Sequence, residues 1–237
     1  MEPDRIAELL QPFLALSTLP FEPCHSEARS AEESAVLTTA QLLNISTYID
    51  ILLRWNARTN LTAIRGEEQI VTRHFGESLF AARHLFPLCS SVSPVIKSLE
   101  VADVGSGAGF PGIPIKLWAP EISLTLIESN HKKATFLKEV TRALTLTNVN
   151  IQTARAESLA DASFDVVTLR AVERFQSILP AAARLVVPGG RLALLIGQAQ
   201  LPQAQMALPA LDWSRPIPVP ISQSRVLVTA SKTKLSI

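Results

Sequence analysis

Val101-Ala102-Asp103-Val104-Gly105-Ser106-Gly107-Ala108-Gly109-Phe110 is the stretch whose reading decides the fold. An apolar strand runs into a glycine-rich turn, with an acid two residues before the first glycine. Three alternate glycines remove three side chains, so a ligand can lie directly against the backbone. A helix expected to follow would aim its free N–H groups at whatever sits there. This is the design of a nucleoside-cofactor site at the carboxyl end of a parallel strand.

Two cofactor classes use such a turn. Gly107-Ala108-Gly109-Phe110-Pro111-Gly112 matches the G-x-G-x-x-G of dinucleotide binders. The wider frame, Asp103-x-Gly105-x-Gly107-x-Gly109, matches the first motif of S-adenosylmethionine-dependent methyltransferases. Asp103 is expected to separate them: a carboxylate at the mouth of the turn repels a pyrophosphate and attracts an ammonium or a sulfonium. A nicotinamide-dependent oxidoreductase is thereby disfavoured. A methyltransferase with another acceptor, or a module that binds the cofactor without catalysis, stays open on these residues alone.

Outward from the turn, apolar strands are expected at Leu99–Val104, Ser123–Ile127, Val149–Gln152, Phe164–Leu169 and Arg191–Ile196. Helices at about 111–119, 130–145 and 175–186 separate them, and Pro188-Gly189-Gly190 reads as a turn into the fifth strand. Ile217–Ile221 and Arg225–Thr229 suit an antiparallel hairpin on the sheet edge. The alternation predicts a Rossmann-like α/β fold with a mostly parallel seven-stranded sheet. Upstream, helices are expected at 4–16, from Thr38 or Thr39 to about Arg58 with Leu42, Ile45, Ile49 and Leu52 in one stripe, and over Glu67–Leu85. Segments 20–38 and 90–94 read as linkers. The division expected is a variable extension and linker at 1–37, a helical region at 38–97 and the sheet domain at 98–237.

Composition narrows the classes. Of 237 residues, 47% are apolar, enough for a substantial core, and no run approaches the length of a membrane helix. Two distant cysteines, Cys24 and Cys89, lack metal-ligand spacing, so reduced thiols in cytoplasm and no metal site are expected. A net charge of +1 hides an asymmetry: residues 1–50 hold eight acids and two bases, leaving 20 bases and 13 acids downstream. That excess suits a polyanionic partner.

Glu128 ends the second strand 23 positions past Gly105, where ribose hydroxyls arrive in this fold. Ala156-Glu157 follows the third strand, beside the expected adenine. Arg170 follows the fourth and is a candidate for the methionine carboxylate or an RNA phosphate. His131-Lys132-Lys133 reads as a solvated helix face. Trp55, Asn60 and Thr62 are expected to pack; Arg58, Arg65 and Arg73 are candidates for RNA.

Arg54-Trp55-Asn56, Asn60-Leu61-Thr62-Ala63-Ile64, Arg73-His74-Phe75 and Ser78-Leu79, followed by Asp103 through Pro114, resemble the bacterial 16S ribosomal RNA guanine-N7 methyltransferases, also called glucose-inhibited division protein B. The likeness runs from about residue 38 to the C-terminus. It implies a class I methyltransferase fold and a cytoplasmic enzyme, here taken as a monomer. Its cofactor is S-adenosyl-L-methionine, and its target is one guanine in the decoding-region stem-loop of small-subunit RNA; apart from the resemblance, the small number of basic residues points to a structured ribonucleoprotein rather than naked RNA as substrate. It places the cofactor contacts on Gly105, Phe110, Ala156, Glu157 and Arg170, with Glu128 at the ribose; Asp103, Gly107 and Gly109 complete the turn. No catalytic residue is expected, because guanine N7 carries an available lone pair and needs no general base. The chain departs from the family's usual residues at Glu77 (Asp), Leu169 (Ser) and Ile196 (Lys).

Overall fold

The computed structural model describes residues 1–15, 37–87, 99–170 and 175–233. Five parallel strands form its centre: β1 (Glu100–Val104), β2 (Ser123–Ile127), β3 (Val149–Gln152), β4 (Phe164–Arg170) and β5 (Val186–Gly197). Three further strands, β6 (Asp212–Trp213), β7 (Ile217–Pro218) and β8 (Arg225–Ser231), complete the sheet. The order is β3-β2-β1-β4-β5-β8-β6, with β7 paired to β8. The last three strands join antiparallel. The sheet therefore has eight strands rather than seven. The tail expected to give one partner for β8 breaks into two short pieces, β6 and β7, each pairing with it.

Because β1 pairs with both β2 and β4, the strand order reverses between β1 and β4. A crevice opens at their carboxyl ends. Alternate residues feed two cores. Val101, Val166, Ala193 and Leu195 join one; Ala102, Val167, Leu192 and Leu194 join the other. The second core takes α7 (Phe175–Leu185) and α8 (Leu201–Ala207). Helix α8 escapes the sequence pattern because it buries only Ala204. Pro188-Gly189-Gly190 is not a free turn but part of β5. The Gly189 N–H donates to the Lys232 carbonyl at 2.8 Å, and the Lys232 N–H to the Gly190 carbonyl at 3.0 Å.

The first core takes α5 (Gly112–Trp118), α6 (His131–Ala143) and all the upstream helices: α1 (Pro3–Leu14), α2 (Thr39–Asn56), α3 (Glu67–Ile70) and α4 (Glu77–Leu85). Thr38 caps α2 in a reciprocal box with Gln41. The stripe Leu42, Ile45, Ile49 and Leu52 is buried as expected, as are Phe136, Leu137, Val140 and Leu144 around α6. Helix α1 is firmly seated: Ile6, Leu10 and Phe13 are buried, and a Cβ on Gly76 would meet the Phe13 ring at 2.5 Å. Between α3 and α4, residues Val71–Gly76 form a π-helical turn, which re-aims Arg73 and His74 relative to a regular helix.

The expected linker at 90–94, most of that at 20–38, and both cysteines fall outside the described residues. Among the described residues no helix is long and apolar enough to cross a membrane.

Helix α2 clamps the back of the glycine turn. The Tyr48 hydroxyl donates to the Ala108 carbonyl, and its ring stacks on Phe110 with centroids 5.3 Å apart. Gly109 sits at φ +86°, and a Cβ there would lie 2.4 Å from the Tyr48 hydroxyl and 2.7 Å from Ile113. Gly109→Ala is therefore expected to destabilise the fold by about 2–3 kcal/mol through overpacking alone. A urea midpoint equal to wild type would contradict this.

Candidate active site

A cavity of about 640 Å³ opens at the carboxyl ends of β1, β2 and β4. The glycine turn forms its floor. Gly105 and Gly107 have φ of 71° and 55°, the left-handed region that glycine tolerates. A Cβ on Gly107 would meet nothing nearer than the Gly105 carbonyl at 3.8 Å, so the space above it is open. Glu128 stands beside the turn. One of its oxygens accepts the Gly107 N–H at 2.9 Å and the other the Asn130 N–H at 2.7 Å. A carboxylate has about four acceptor positions, so two hydroxyls can still be received there. Ala156 and the exposed Glu157 form the wall beyond β3. A nucleoside fits this set: backbone floor, diol-accepting carboxylate, and a loop offering N–H and carboxylate groups.

Gly105, Gly107, Phe110, Glu128, Ala156, Glu157 and Arg170 all line the cavity. Two expected ligands do not. Asp103 is only 1% exposed. One oxygen accepts from Thr168 Oγ1 at 2.9 Å and the other from the Gly112 N–H at 3.2 Å. Burial pushes its carboxyl up to about 6, against the donated hydrogen bonds. It ties β1 to β4 and to the start of α5 behind the turn, rather than meeting a cation at its mouth. Gly109 likewise faces α2, where it gives room to Tyr48.

Arg170 borders the cavity, but it is buried and most of its donors are committed to protein partners. Nη2 donates to Glu77 Oε2 at 3.0 Å and to the Arg73 carbonyl, and Nη1 lies 3.1 Å from His74 Nδ1. Of five N–H groups, only Nε–H and one on Nη1 remain, and Nε has no partner among the described residues.

The other RNA candidates scatter. Arg58 is exposed. Arg65 is exposed but donates to the Asn56 carbonyl at 3.0 Å. Arg73 pairs with Glu77 at 3.1 Å. His131 and Lys132 are exposed as expected, while Lys133 borders the cavity. Trp55 packs edge-on against Phe136 and donates to Glu139 at 2.9 Å. Asn60 is exposed. Ile196 is buried in the core opposite Val226.

The sequence reading gives no role to Glu77 and treats Thr62 as packing. Glu77 is 1% exposed and accepts from Arg73, Arg170 and Arg225, the last at 2.8 Å. The loop after α2 also supplies Leu61 and Thr62 to the cavity wall, and the π-helical turn supplies His74. His74 stacks on Phe110 at 4.7 Å, and its Nε2 lies 2.8 Å from Thr62 Oγ1. The spacing of Arg73, His74 and Glu77 carries no such signal, because the π-helical turn breaks the 3.6-residue period. Among the described residues no acidic, histidine and cysteine group is arranged to hold a metal.

Burial, then Arg170, Arg225 and Arg73, push the His74 imidazole from 6.5 down to about 3. It stays neutral in the fold while the unfolded chain takes up a proton, so its stabilising contribution is whole above 6.5 and is lost as pH falls toward 3. Two outcomes are expected. Nitrogen-15 NMR should show His74 unprotonated down to about pH 4, and His74→Gln should lose less stability than wild type on acidification. An imidazole titrating near its ordinary value would contradict both.

Residues 41–215 match the family described as GidB, rRNA small subunit methyltransferase G. The chain is 37% identical over 191 residues to ribosomal RNA small subunit methyltransferase G of Xanthomonas axonopodis pv. citri, covering 78% of this chain and 84% of that one. It is 36% identical over 212 residues to the protein of that name from Halorhodospira halophila, covering 87% and 95%. Among solved structures, a SAM-dependent methyltransferase from Aquifex aeolicus superposes with TM-score 0.55 at 15% identity over 73% of this chain and 97% of that one. A ribosomal protein L11 methylase from Lactobacillus delbrueckii subsp. bulgaricus gives 0.54 at 16% identity over 68% and 79%. These two likenesses place the fold among Rossmann-like class I methyltransferases, in accord with the strand order and the reversal between β1 and β4. Fold, cavity and sequence match agree: the chain belongs to the rRNA small subunit methyltransferase G family.

Proposed function

We propose that this protein transfers the methyl group of S-adenosyl-L-methionine to N7 of a guanine in the decoding-region stem-loop of 16S rRNA. The observation that carries the reading is the open space above Gly107 beside Glu128, in a chain of this family. Gly105 and Gly107 would take the nucleoside against the backbone, Glu128 its ribose hydroxyls, and Ala156 and Glu157 its base. The free N–H groups of Arg170 suit the methionine carboxylate. Bound there, S-adenosyl-L-methionine would supply an electrophilic methyl carbon on a cationic sulfur, with a neutral thioether as the leaving group.

The chain's own work is positioning. Guanine N7 has a lone pair at neutral pH, so no side chain must remove a proton first. The neutral, enclosed His74 supports this: it is held by Arg170 and Thr62 and has no free nitrogen for a proton shuttle. Orientation of two reactants can by itself supply several kcal/mol of the barrier reduction. The rate of the chemical step is accordingly expected to stay level between about pH 7 and 9, above the range in which the Asp103 carboxyl behind the turn takes up a proton. A bell-shaped profile that vanishes with one acid or histidine variant would overturn the mechanism.

Among the described residues the Lys and Arg side chains that line the cavity are Lys133, Arg155 and Arg170, a small number that favours a folded ribonucleoprotein over free RNA as substrate. The setting proposed is cytoplasmic, with the chain acting as a monomer. The division at residues 37 and 97 is proposed on the sequence pattern, although one core spans the helices and the sheet. Mapping modified guanines in 16S rRNA from cells lacking the protein should show loss of one N7 methyl group. Purified protein should restore it on assembled small subunits faster than on free RNA. An unchanged modification map would refute the function, and equal rates would refute the substrate form.

A further inference from the structure

The cavity wall supplied by the α2–α3 loop and the π-helical turn carries a chain of hydrogen bonds whose directions chemistry fixes. Arginine offers donors and no acceptor. Arg170 Nη1 faces His74 Nδ1 at 3.1 Å, so Nδ1 accepts and bears no proton. A neutral imidazole then carries its proton on Nε2. That nitrogen donates to Thr62 Oγ1 at 2.8 Å. The Ile64 N–H donates to the same oxygen at 3.1 Å. A hydroxyl has two acceptor positions and one proton. Both acceptor positions of Thr62 are therefore filled, and its proton meets no acceptor among the described residues. Thr62 lines the cavity with His74, Phe110 and Arg170. Its backbone is fixed as well, since Asn56 Oδ1 accepts the Thr62 N–H at 3.0 Å and Asn56 Nδ2 donates to its carbonyl at 2.9 Å. The depressed basicity of His74 keeps this arrangement unchanged across neutral pH.

Thr62 is thus an obligate donor. On the purine edge that carries N7, guanine presents a second acceptor, O6, where adenine presents the N6 amine, a donor. N7 must stay bare to react, which leaves O6 as the partner on that edge. We propose that Thr62 is the residue that distinguishes guanine from adenine, its hydroxyl donating to O6 of the target base. This rests on the guanine-N7 reading above. The nucleoside contacts at Gly107, Glu128, Ala156 and Glu157 come from the strand ends, whereas Thr62 comes from the helical side of the cavity.

The test uses the full chain and small-subunit particles reconstituted with guanine, 2-aminopurine or adenine at the target position. 2-Aminopurine keeps N7, replaces O6 by hydrogen and, on its Watson–Crick edge, lacks the N1 proton. Wild-type kcat/KM is expected to fall about tenfold from guanine to 2-aminopurine, the worth of one neutral hydrogen bond, and further for adenine. Thr62→Val should lose about tenfold on guanine and nothing more on 2-aminopurine, with Thr62→Ser restoring the guanine rate. Calorimetric affinity for S-adenosyl-L-methionine should be the same in all three proteins.

Thr62→Val strands the His74 and Ile64 N–H groups and risks misfolding, so the wild-type comparison of guanine with 2-aminopurine decides alone if that variant is unstable. Equal wild-type rates on those two bases would overturn the proposal. So would losses from variant and analogue that multiply, or weakened S-adenosyl-L-methionine binding by Thr62→Val, which would turn the hydroxyl toward the cofactor. Failure of wild type to methylate even the guanine particle would instead sink the N7 reading itself, before any variant is compared.

Discussion

One buried carboxylate holds three distant parts of the chain in register. Glu77, at the start of α4, receives Arg73 from the π-helical turn, Arg170 from the end of β4 and Arg225 from β8. Breaking a buried pair by removing one partner costs about 3–5 kcal/mol, because the charge left behind keeps its desolvation penalty. Here one carboxylate faces three guanidinium groups, so the local balance is positive even when every pair is made. The hub keeps the Arg170 guanidinium beside His74, and the direction of every hydrogen bond from Arg170 to Thr62 follows from that placement.

Much of the sheet was legible because its signals are local. Strands β1 to β4 are short apolar runs bounded by turn residues, and the stripes on α2 and α6 repeat at helical spacing. What escaped depends on contacts across the chain. Pro188-Gly189-Gly190 has the composition of a turn, yet Lys232 pairs with it and draws it into β5. The tail pairs as two short pieces on β8, a consequence of tertiary geometry that no window of residues records.

The candidate site was legible at the strand ends and illegible on the helical wall. Gly105, Gly107, Glu128, Ala156 and Glu157 sit where the periodicity of a βα fold puts them. Asp103 drew attention for its charge at the motif, but its oxygens serve Thr168 and Gly112. The motif's acid is part of the scaffold that shapes the turn, and among the described residues the carboxylates that border the cavity are Glu128 and Glu157. Thr62 and His74 lie 12 positions apart in sequence and meet only because the π-helical turn and the Asn56 hydrogen bonds present them to the same wall.

The clamp of Tyr48 on Ala108 has a thermodynamic side. The front of the glycine loop is open for occupancy while its reverse is pinned by α2, so both faces share one thin segment of backbone. Whatever settles on the front favours the conformation that the reverse already requires, and the two energies are linked. A chain stripped of its amino-terminal helices would forfeit the shape of its nucleoside bed along with one wall of the cavity.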